Sequence, residues 1–198
     1  DEEVVLDLRL NTLNKYVDYF VIVESSFNHK GEKRELKFNL KKFEKFAKKI
    51  IYLVYDKIPQ KIKPINDQDT KDEKSIKYIY NAYLRENGQR NYILKGLNNA
   101  DQNDIILISD VDEIPNLKNK NFLKFDSTVF LQNMYYYKFN IHYYEGLKWS
   151  NKWPGTKSCK FKFFNSAQLV RQFRVKKIPW WRFDQKIKRY IEKDGGWH

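Results

Sequence analysis

The feature that most constrains this chain is a cluster of three carboxylates at the end of a short apolar run. Residues 104–108 read Asp-Ile-Ile-Leu-Ile, which predicts a buried parallel strand, and Pro115 prevents that strand from continuing. Asp110, Asp112 and Glu113 lie between the run and the proline. Because ligands bind at the carboxyl ends of strands in open α/β sheets, this cluster marks a candidate binding edge.

Asp110 and Asp112 are predicted to share one divalent cation. They are two residues apart on an extended segment, so their side chains point the same way, and carboxylate oxygens are suitable ligands for a hard cation. The alternative is a solvated acidic turn that caps a strand. We favour the cation site because the strand, the proline and the third carboxylate coincide. Such a cation offers its remaining positions to a diphosphate.

Composition indicates a folded protein with an anionic partner. Of the 198 residues, 41% are hydrophobic and 17% aromatic, which lies outside the disordered regime. The formal charge of +13 fits a phosphorylated donor, a nucleic acid or a peripheral membrane contact, and it equally fits biased codon usage. The single cysteine, Cys159, excludes an internal disulfide and a multi-thiolate zinc site. No apolar stretch is long enough for a membrane span and no signal peptide begins the sequence, so we expect a cytoplasmic location.

The first half of the chain alternates helical and strand patterns, which predicts an α/β fold with a mainly parallel central sheet and helices on both faces. Apolar spacing predicts helices over 5–13, 43–50 and 75–100, and strands over 18–24, 51–55 and 104–108. Gly88 is expected to break the long third helix in two. The strand over 18–24 ends on the carboxylate of Glu24.

The second half has a different pattern. Strand-like runs over 128–131 and 134–139 are too close together for an intervening helix, so antiparallel pairing is expected. We therefore predict one domain over 1–198, with a nucleotide-sugar-binding half over 1–115 and an antiparallel acceptor-side extension over 116–198. That layout is typical of a glycosyltransferase.

Tryptophans mark the predicted loops of the second half. Their faces can stack on the C–H groups of sugar rings, and core packing is an equal alternative. The candidate acceptor-binding residues are Trp149, Trp153, Trp180 and Trp181.

These segments together resemble the family 17 glycosyltransferases. The likeness rests on residues 8–11 of the first helix, the strand segment 17–25, the run 85–91 that leads to Asp-Val-Asp-Glu-Ile-Pro at 110–115, and Gly-Gly-Trp-His at 195–198. It covers most of the chain, and the 110–115 string is its most specific part. The family has a strand before the first helix and continues past Gly-Trp-His, so we expect this chain to lack the first strand of the fold.

The resemblance implies a GT-A-like fold, a UDP-sugar donor, with UDP-N-acetylglucosamine expected, and a divalent metal, Mn²⁺ or Mg²⁺. It implies that Asp110 and Asp112 hold the metal together with the donor's ribose and diphosphate, and we assign Glu24 to the donor site as well. His198 stands where a late metal ligand can be recruited, and imidazole suits Mn²⁺ better than Mg²⁺. A frayed chain end is the alternative for His198.

The expected chemistry is an inverting transfer, in which an acceptor hydroxyl attacks the anomeric carbon as UDP leaves. Glu113 is our first candidate for the general base, with Asp184 and Glu145 as further candidates, although Glu113 could instead brace the loop. Arg90 is a candidate second positive charge at the diphosphate, with a surface or packing role as the alternative. The expected partners are a nucleotide-sugar donor and a glycan acceptor.

Two other classes remain open at this point. A basic nucleic-acid-binding protein fits the net charge and the interleaved lysines and aromatic residues over 157–164 and 171–182, but the acidic cluster would repel phosphates and makes a nucleic-acid partner the weaker hypothesis. A metal-dependent phosphodiesterase could use the same carboxylates.

Overall fold

The computed structural model describes residues 2–135, 141, 152–173, 175 and 189–198. The chain forms two compact units: unit 1 comprises Asp1–Asp18 and Ala100–His198, and unit 2 comprises Tyr19–Asn99. Unit 2 is contiguous in sequence, whereas unit 1 is assembled from both ends of the chain. The acidic cluster belongs to unit 1, and the single domain with a division at residue 115 stays a prediction.

Unit 2 is built on two parallel strands. Strand β1 (Phe20–Ser25) pairs in register with β2 (Ile50–Tyr55), which confirms both predicted strands. The remaining elements are a 3-10 helix (Leu40–Phe46), helix α2 (Lys71–Asn91) and a second 3-10 helix (Tyr92–Gly96). The predicted helix over 43–50 is wrong because the backbone leaves helical geometry at Phe43 and the segment is a distorted 3-10 helix.

Helix α2 corrects a second expectation. It begins at a capping box, in which the Thr70 side chain accepts from the Glu73 backbone and the Glu73 side chain accepts from the Thr70 backbone. It then runs through Gly88 without a break. A side chain at Gly88 would meet the Tyr55 hydroxyl, so the glycine permits close packing of α2 on β2 and does not interrupt the helix.

Among the described residues, unit 1 contains a six-stranded sheet and four helical segments. Its helices are α1 (Glu2–Leu13), α3 (Ala167–Arg171) and two 3-10 helices, Lys120–Lys124 and Phe161–Phe163. Its strands are β3 (Ile105–Ile108), β4 (Ile114–Pro115), β5 (Ser127–Asn133), β6 (Lys152–Lys160), β7 (Arg189–Glu192) and β8 (Gly196–Trp197).

The sheet of unit 1 is mixed. Its order is β3-β6-β5-β8-β4, with β7 also paired to β5. Strands β3 and β5 run antiparallel to β6, β4 runs antiparallel to β8, and β7 and β8 run parallel to β5. The predicted mainly parallel sheet is therefore wrong for this unit, since β3 pairs with an antiparallel strand from the second half of the chain. An apolar run specifies burial but not strand direction. The α/β class is confirmed, and a GT-A-like arrangement stays a prediction.

The core of unit 1 lies on β5 and the strands beside it. Val129, Phe130 and Cys159 have no exposed surface, and the ring of Phe122 packs edge-on against that of Phe130.

The predicted first helix is confirmed as α1. Among the described residues, no helix is long and apolar enough to cross a membrane.

The segment Gly195–His198 contains β8, which lies between β5 and β4 in the sheet. Gly196 has a φ of 111°, which side-chain-bearing residues rarely adopt, and a Cβ there would meet the carbonyl of Ile114. The His198 backbone is hydrogen-bonded on both sides, to Asn133 and Tyr135. These two bonds favour an ordered His198 over the frayed-end alternative.

Burial of the Cys159 thiol gives a test of the sheet arrangement. Burial raises the pKa of this thiol to about 12, so the reactive thiolate is scarce at mildly alkaline pH and shielded from reagents. We expect Ellman's reagent to leave the native protein unmodified and to titrate one thiol after unfolding in guanidinium chloride. Rapid modification of the native protein would contradict this placement of β6.

Candidate functional site

The acidic loop is the segment 109–113 between β3 and β4. Asp110 and Asp112 are exposed, whereas Glu113 has no exposed surface. The loop closes on itself, because the Glu113 amide donates to the Asp110 carbonyl at 3.1 Å and the Asp110 amide donates to Oε2 of Glu113 at 3.1 Å. The three predicted carboxylates therefore separate into two that face solvent and one that is buried beneath them.

The buried carboxylate of Glu113 is surrounded by hydrogen-bond donors. Arg171 donates from Nη1 to Oε2 at 2.9 Å and from Nη2 to Oε1 at 2.5 Å. The indole Nε1 of Trp153 donates to Oε1 at 2.7 Å. With the Asp110 amide, these contacts give each carboxylate oxygen two donors. A buried carboxylate is tolerable only when it is paired and hydrogen-bonded, and this one is.

Arg171 joins the buried and the exposed parts of the loop. Its Nη2 donates to Oδ2 of Asp110 at 2.8 Å, and its Nη1 donates to the Gly155 carbonyl at 2.7 Å. Burial alone lowers the pKa of the guanidinium, but the carboxylates of Glu113 and Asp110 outweigh this effect and raise the pKa above its ordinary value. Arg171 is thus a permanent positive charge within the cluster.

A second arginine reaches the loop from α1. Nη1 of Arg9 donates to the backbone carbonyls of Glu113, at 2.5 Å, and Asp110, at 3.2 Å. Burial lowers the pKa of Arg9 to about 10, against the opposing attraction of the Glu113, Asp110 and Asp112 carboxylates. Arg9 stays charged at neutral pH and fixes the loop through its main chain.

A polar layer lies beneath the loop. The Thr156 hydroxyl donates to the Glu113 carbonyl at 3.3 Å, accepts from the buried Gln132 amide at 3.2 Å and lies 2.7 Å from the Ser109 hydroxyl. A Cβ at Gly155 would meet the Gln132 amide oxygen, so glycine allows this close approach. The loop therefore rests on side chains whose hydrogen bonds are satisfied.

Trp153 connects the loop to the end of the chain. While its indole nitrogen is bonded to Glu113, its ring stands edge-on to the His198 imidazole, with centroids 5.1 Å apart, and 38% of the residue is exposed. This places the Gly-Trp-His segment beside the acidic loop. In the part of the chain that the structure describes, no three His, Cys, Asp or Glu side chains are grouped to hold a metal, so the ligand role of His198 stays a prediction.

Two of the predicted donor-site residues lie in unit 2. The Glu24 carboxylate accepts from the Lys37 amide at 2.8 Å and the Tyr52 hydroxyl at 2.9 Å. Arg90 pairs with Glu86 one turn earlier on α2, at 2.5 Å. These contacts are what a structural role requires, and the assignment of Glu24 and Arg90 to the donor stays a prediction.

Several candidates lie outside the described residues. They are Glu145 and Asp184 among the possible bases, and Trp149, Trp180 and Trp181 among the acceptor candidates. Their predicted roles stay predictions.

Sequence reasoning missed Arg9 and Arg171 as site residues. From the clustered carboxylates we predicted a divalent cation at Asp110 and Asp112, but no arginine bound to the loop itself. Arg9 lies off the apolar stripe of α1, which is the signal that it faces something polar. Arg171 stands in a basic stretch with no local pattern that distinguishes it from its neighbours.

The buried pairing predicts unequal effects of removing neighbouring carboxylates. Glu113→Ala leaves the Arg171 guanidinium and the Trp153 N–H without their acceptor, so we expect a loss of about 3–5 kcal/mol in the free energy of unfolding. The matched control Asp112→Ala removes an exposed carboxylate and should change that free energy by less than about 0.5 kcal/mol. Urea denaturation measures both, and equal effects would contradict the described burial of Glu113.

Comparison with known proteins finds relatives over a stretch that includes the acidic loop. The family described as "Glycosyltransferase family 17" matches residues 1–165, which include the whole acidic loop. Proteins named "Beta-1,4-mannosyl-glycoprotein 4-beta-N-acetylglucosaminyltransferase" from Homo sapiens and Rattus norvegicus are 34% identical over 124 residues, and the Mus musculus protein is 33% identical. Each match covers 61% of this chain and 21% of the relative, so the chain spans about a fifth of the length of these curated relatives.

No solved structure matches the chain. The family match nevertheless extends over most of the sequence and contains both the first helix and the acidic loop that Arg9 holds together. The resemblance found in the sequence is thereby confirmed, and this chain belongs to glycosyltransferase family 17.

Proposed function

We propose that this chain is a metal-dependent, inverting glycosyltransferase domain that moves N-acetylglucosamine from UDP-N-acetylglucosamine to a glycan hydroxyl. The observation that carries the proposal is the acidic loop, in which Asp110 and Asp112 face solvent above a buried, neutralised Glu113, in a chain of a glycosyltransferase family. The names of the relatives support the sugar and the glycan acceptor. The nucleic-acid and phosphodiesterase alternatives have no such support.

The charge balance of the loop supports a requirement for a cation. The loop carries the carboxylates of Asp110, Asp112 and Glu113, and the guanidinium groups of Arg9 and Arg171 are hydrogen-bonded to it, so these five groups carry one net negative charge. A diphosphate would be repelled by this cluster alone. One divalent cation reverses the sign of the net charge and makes the same cluster attractive to a donor diphosphate.

The exposed residues fit such a cation in their chemistry. Asp110 and Asp112 carry hard oxygen donors, and Mg²⁺ sites commonly use one or two carboxylates with waters and substrate phosphates as the remaining ligands. Two protein ligands therefore suffice, and His198 would be an additional ligand. When bound, the cation supplies positive charge to the departing diphosphate.

The structure favours a bracing role for Glu113 over a catalytic one. A general base must come within hydrogen-bond reach of the acceptor hydroxyl, and Glu113 is buried with two donors on each oxygen. We therefore place Asp184 ahead of Glu113 as the candidate base. Trp153 is 38% exposed, lies beside the loop and is our first candidate for contact with the acceptor sugar. A cytoplasmic location and a peripheral membrane contact stay predictions.

The proposal predicts that both exposed aspartates are needed for donor binding. We expect Asp110→Asn and Asp112→Asn each to lower the rate of UDP-N-acetylglucosamine hydrolysis or transfer by about a hundredfold or more, because each removes charge aimed at the bound cation. Titration calorimetry with UDP, with and without Mn²⁺, should show the same loss in binding. The control Asp101→Asn removes an exposed carboxylate of the same unit and should leave both unchanged.

The outcome against the proposal is equally specific. If both variants keep metal-dependent hydrolysis or transfer at the wild-type rate, the acidic loop is not the donor site. If the unmodified chain binds no uridine nucleotide in the presence of Mn²⁺ or Mg²⁺, this chain alone does not form a donor site.

A further inference from the structure

Arg171 lies beyond the segment that the family model matches. The family match ends at residue 165, and Arg171 is the last residue of the short helix α3. Nevertheless, its guanidinium makes the largest set of contacts to the acidic loop. A segment outside the matched region therefore completes the local structure of the matched motif.

The position of Arg171 is fixed by its surroundings. Helix α3 is anchored in unit 1 by Ala167 and Val170, which are 0% and 1% exposed. At the end of this helix, Nζ of Lys157, itself 7% exposed, donates to the Arg171 carbonyl at 2.5 Å. The backbone of Arg171 is thus held by the packing of α3 and by the Lys157 ammonium, and its side chain extends from that position.

The guanidinium of Arg171 is held more firmly by Glu113 than by Asp110. The Glu113 carboxylate has no exposed surface and accepts from both terminal nitrogens, and the Gly155 carbonyl accepts from Nη1 as well. The Asp110 side chain is 48% exposed and accepts from Nη2. Buried ion pairs are screened much less than exposed ones. The pairing with Glu113 therefore fixes the position of the guanidinium, and the guanidinium in turn orients the Asp110 carboxylate.

We propose that Arg171 is a positioning residue, which uses the buried Glu113 as an anchor to hold the Asp110 carboxylate ready for a divalent cation and the donor diphosphate. This inference rests on the proposed function of the loop. Holding a side chain in its bound geometry removes the entropy cost of ordering it at the moment of binding. For one carboxylate side chain this corresponds to about a threefold to tenfold gain in affinity.

A competing role for Arg171 predicts the opposite change in cation affinity. If Arg171 merely competed with the cation for the Asp110 carboxylate, its removal would tighten cation binding. A test must remove the anchor without changing the charge of the cluster, since a change of charge alone would alter cation affinity.

The double variant Glu113→Gln with Arg171→Met meets this requirement. It removes one negative and one positive charge, so the net charge of the cluster is preserved and no unpaired buried charge is created. The matched control is Asp126→Asn with Lys160→Met, which removes another ion pair of unit 1, one whose atoms are 3.0 Å apart. Binding of Mn²⁺ alone is followed by the loss of the free-ion electron paramagnetic resonance signal, and binding of UDP with saturating Mn²⁺ by calorimetry.

We expect the dissociation constant for Mn²⁺ to rise about threefold to tenfold in the site double variant and to stay unchanged in the control. The KM for the donor should rise by a similar factor while kcat changes little, because a positioning residue acts on binding. Arg171→Lys keeps the charge but cannot span both carboxylates, so its Mn²⁺ affinity should fall between those of the wild type and the double variant.

Other outcomes overturn the inference. An unchanged or lower Mn²⁺ dissociation constant in the folded double variant assigns Arg171 a structural or competing role. Should the double variant not fold, wild-type Mn²⁺ affinity in Arg171→Lys decides against positioning. If the wild type binds neither Mn²⁺ nor UDP, the proposed function itself fails, which is distinct from a wild type that binds both and a variant that binds equally well.

Discussion

The burial of a single charge, that of Glu113, is the constraint on which the rest of unit 1 depends. A carboxylate removed from water must be matched by donors and by a positive charge, or the fold loses several kcal/mol, on the order of 3–5. The chain meets this demand from distant places: an indole from β6 and a guanidinium from the end of α3. Arg9 adds a hold on the main chain of the same loop. Two elements, β6 and α3, are thereby positioned on the Glu113 side chain, and a third, α1, on its main chain.

The amino-acid pattern was sufficient to predict the elements that local burial determines. Continuous apolar runs predict the strands β1 and β2, and the spaced leucines predict the helix α1. The structure confirms all three elements. The sequence pattern could not predict strand direction in unit 1, because the run at 105–108 is apolar whether its neighbour is parallel or antiparallel. The pattern also could not predict that α2 continues through Gly88. The glycine is there because the Tyr55 hydroxyl, which belongs to another element, packs against it.

For the site, the sequence located the negative charges but not what balances them. Asp110, Asp112 and Glu113 are adjacent in the chain and follow a strand, so their clustering was readable. Arg171 is 58 residues from Glu113, and nothing in its own neighbourhood marks it. Burial also divides the three carboxylates by role, and burial of a single side chain in a loop is a tertiary property that no local pattern carries.

The division into a contiguous unit 2 and a discontinuous unit 1 has a consequence for synthesis on the ribosome. Residues 19–99 emerge before the acidic loop, and all the strands of their sheet are then present, so this unit can fold early. The acidic loop emerges next, but the indole and guanidinium that neutralise Glu113 follow 40 and 58 residues later. Until then the carboxylate lacks these two partners. The contacts that neutralise Glu113 can therefore form only after Arg171 has been synthesised, later than all of unit 2.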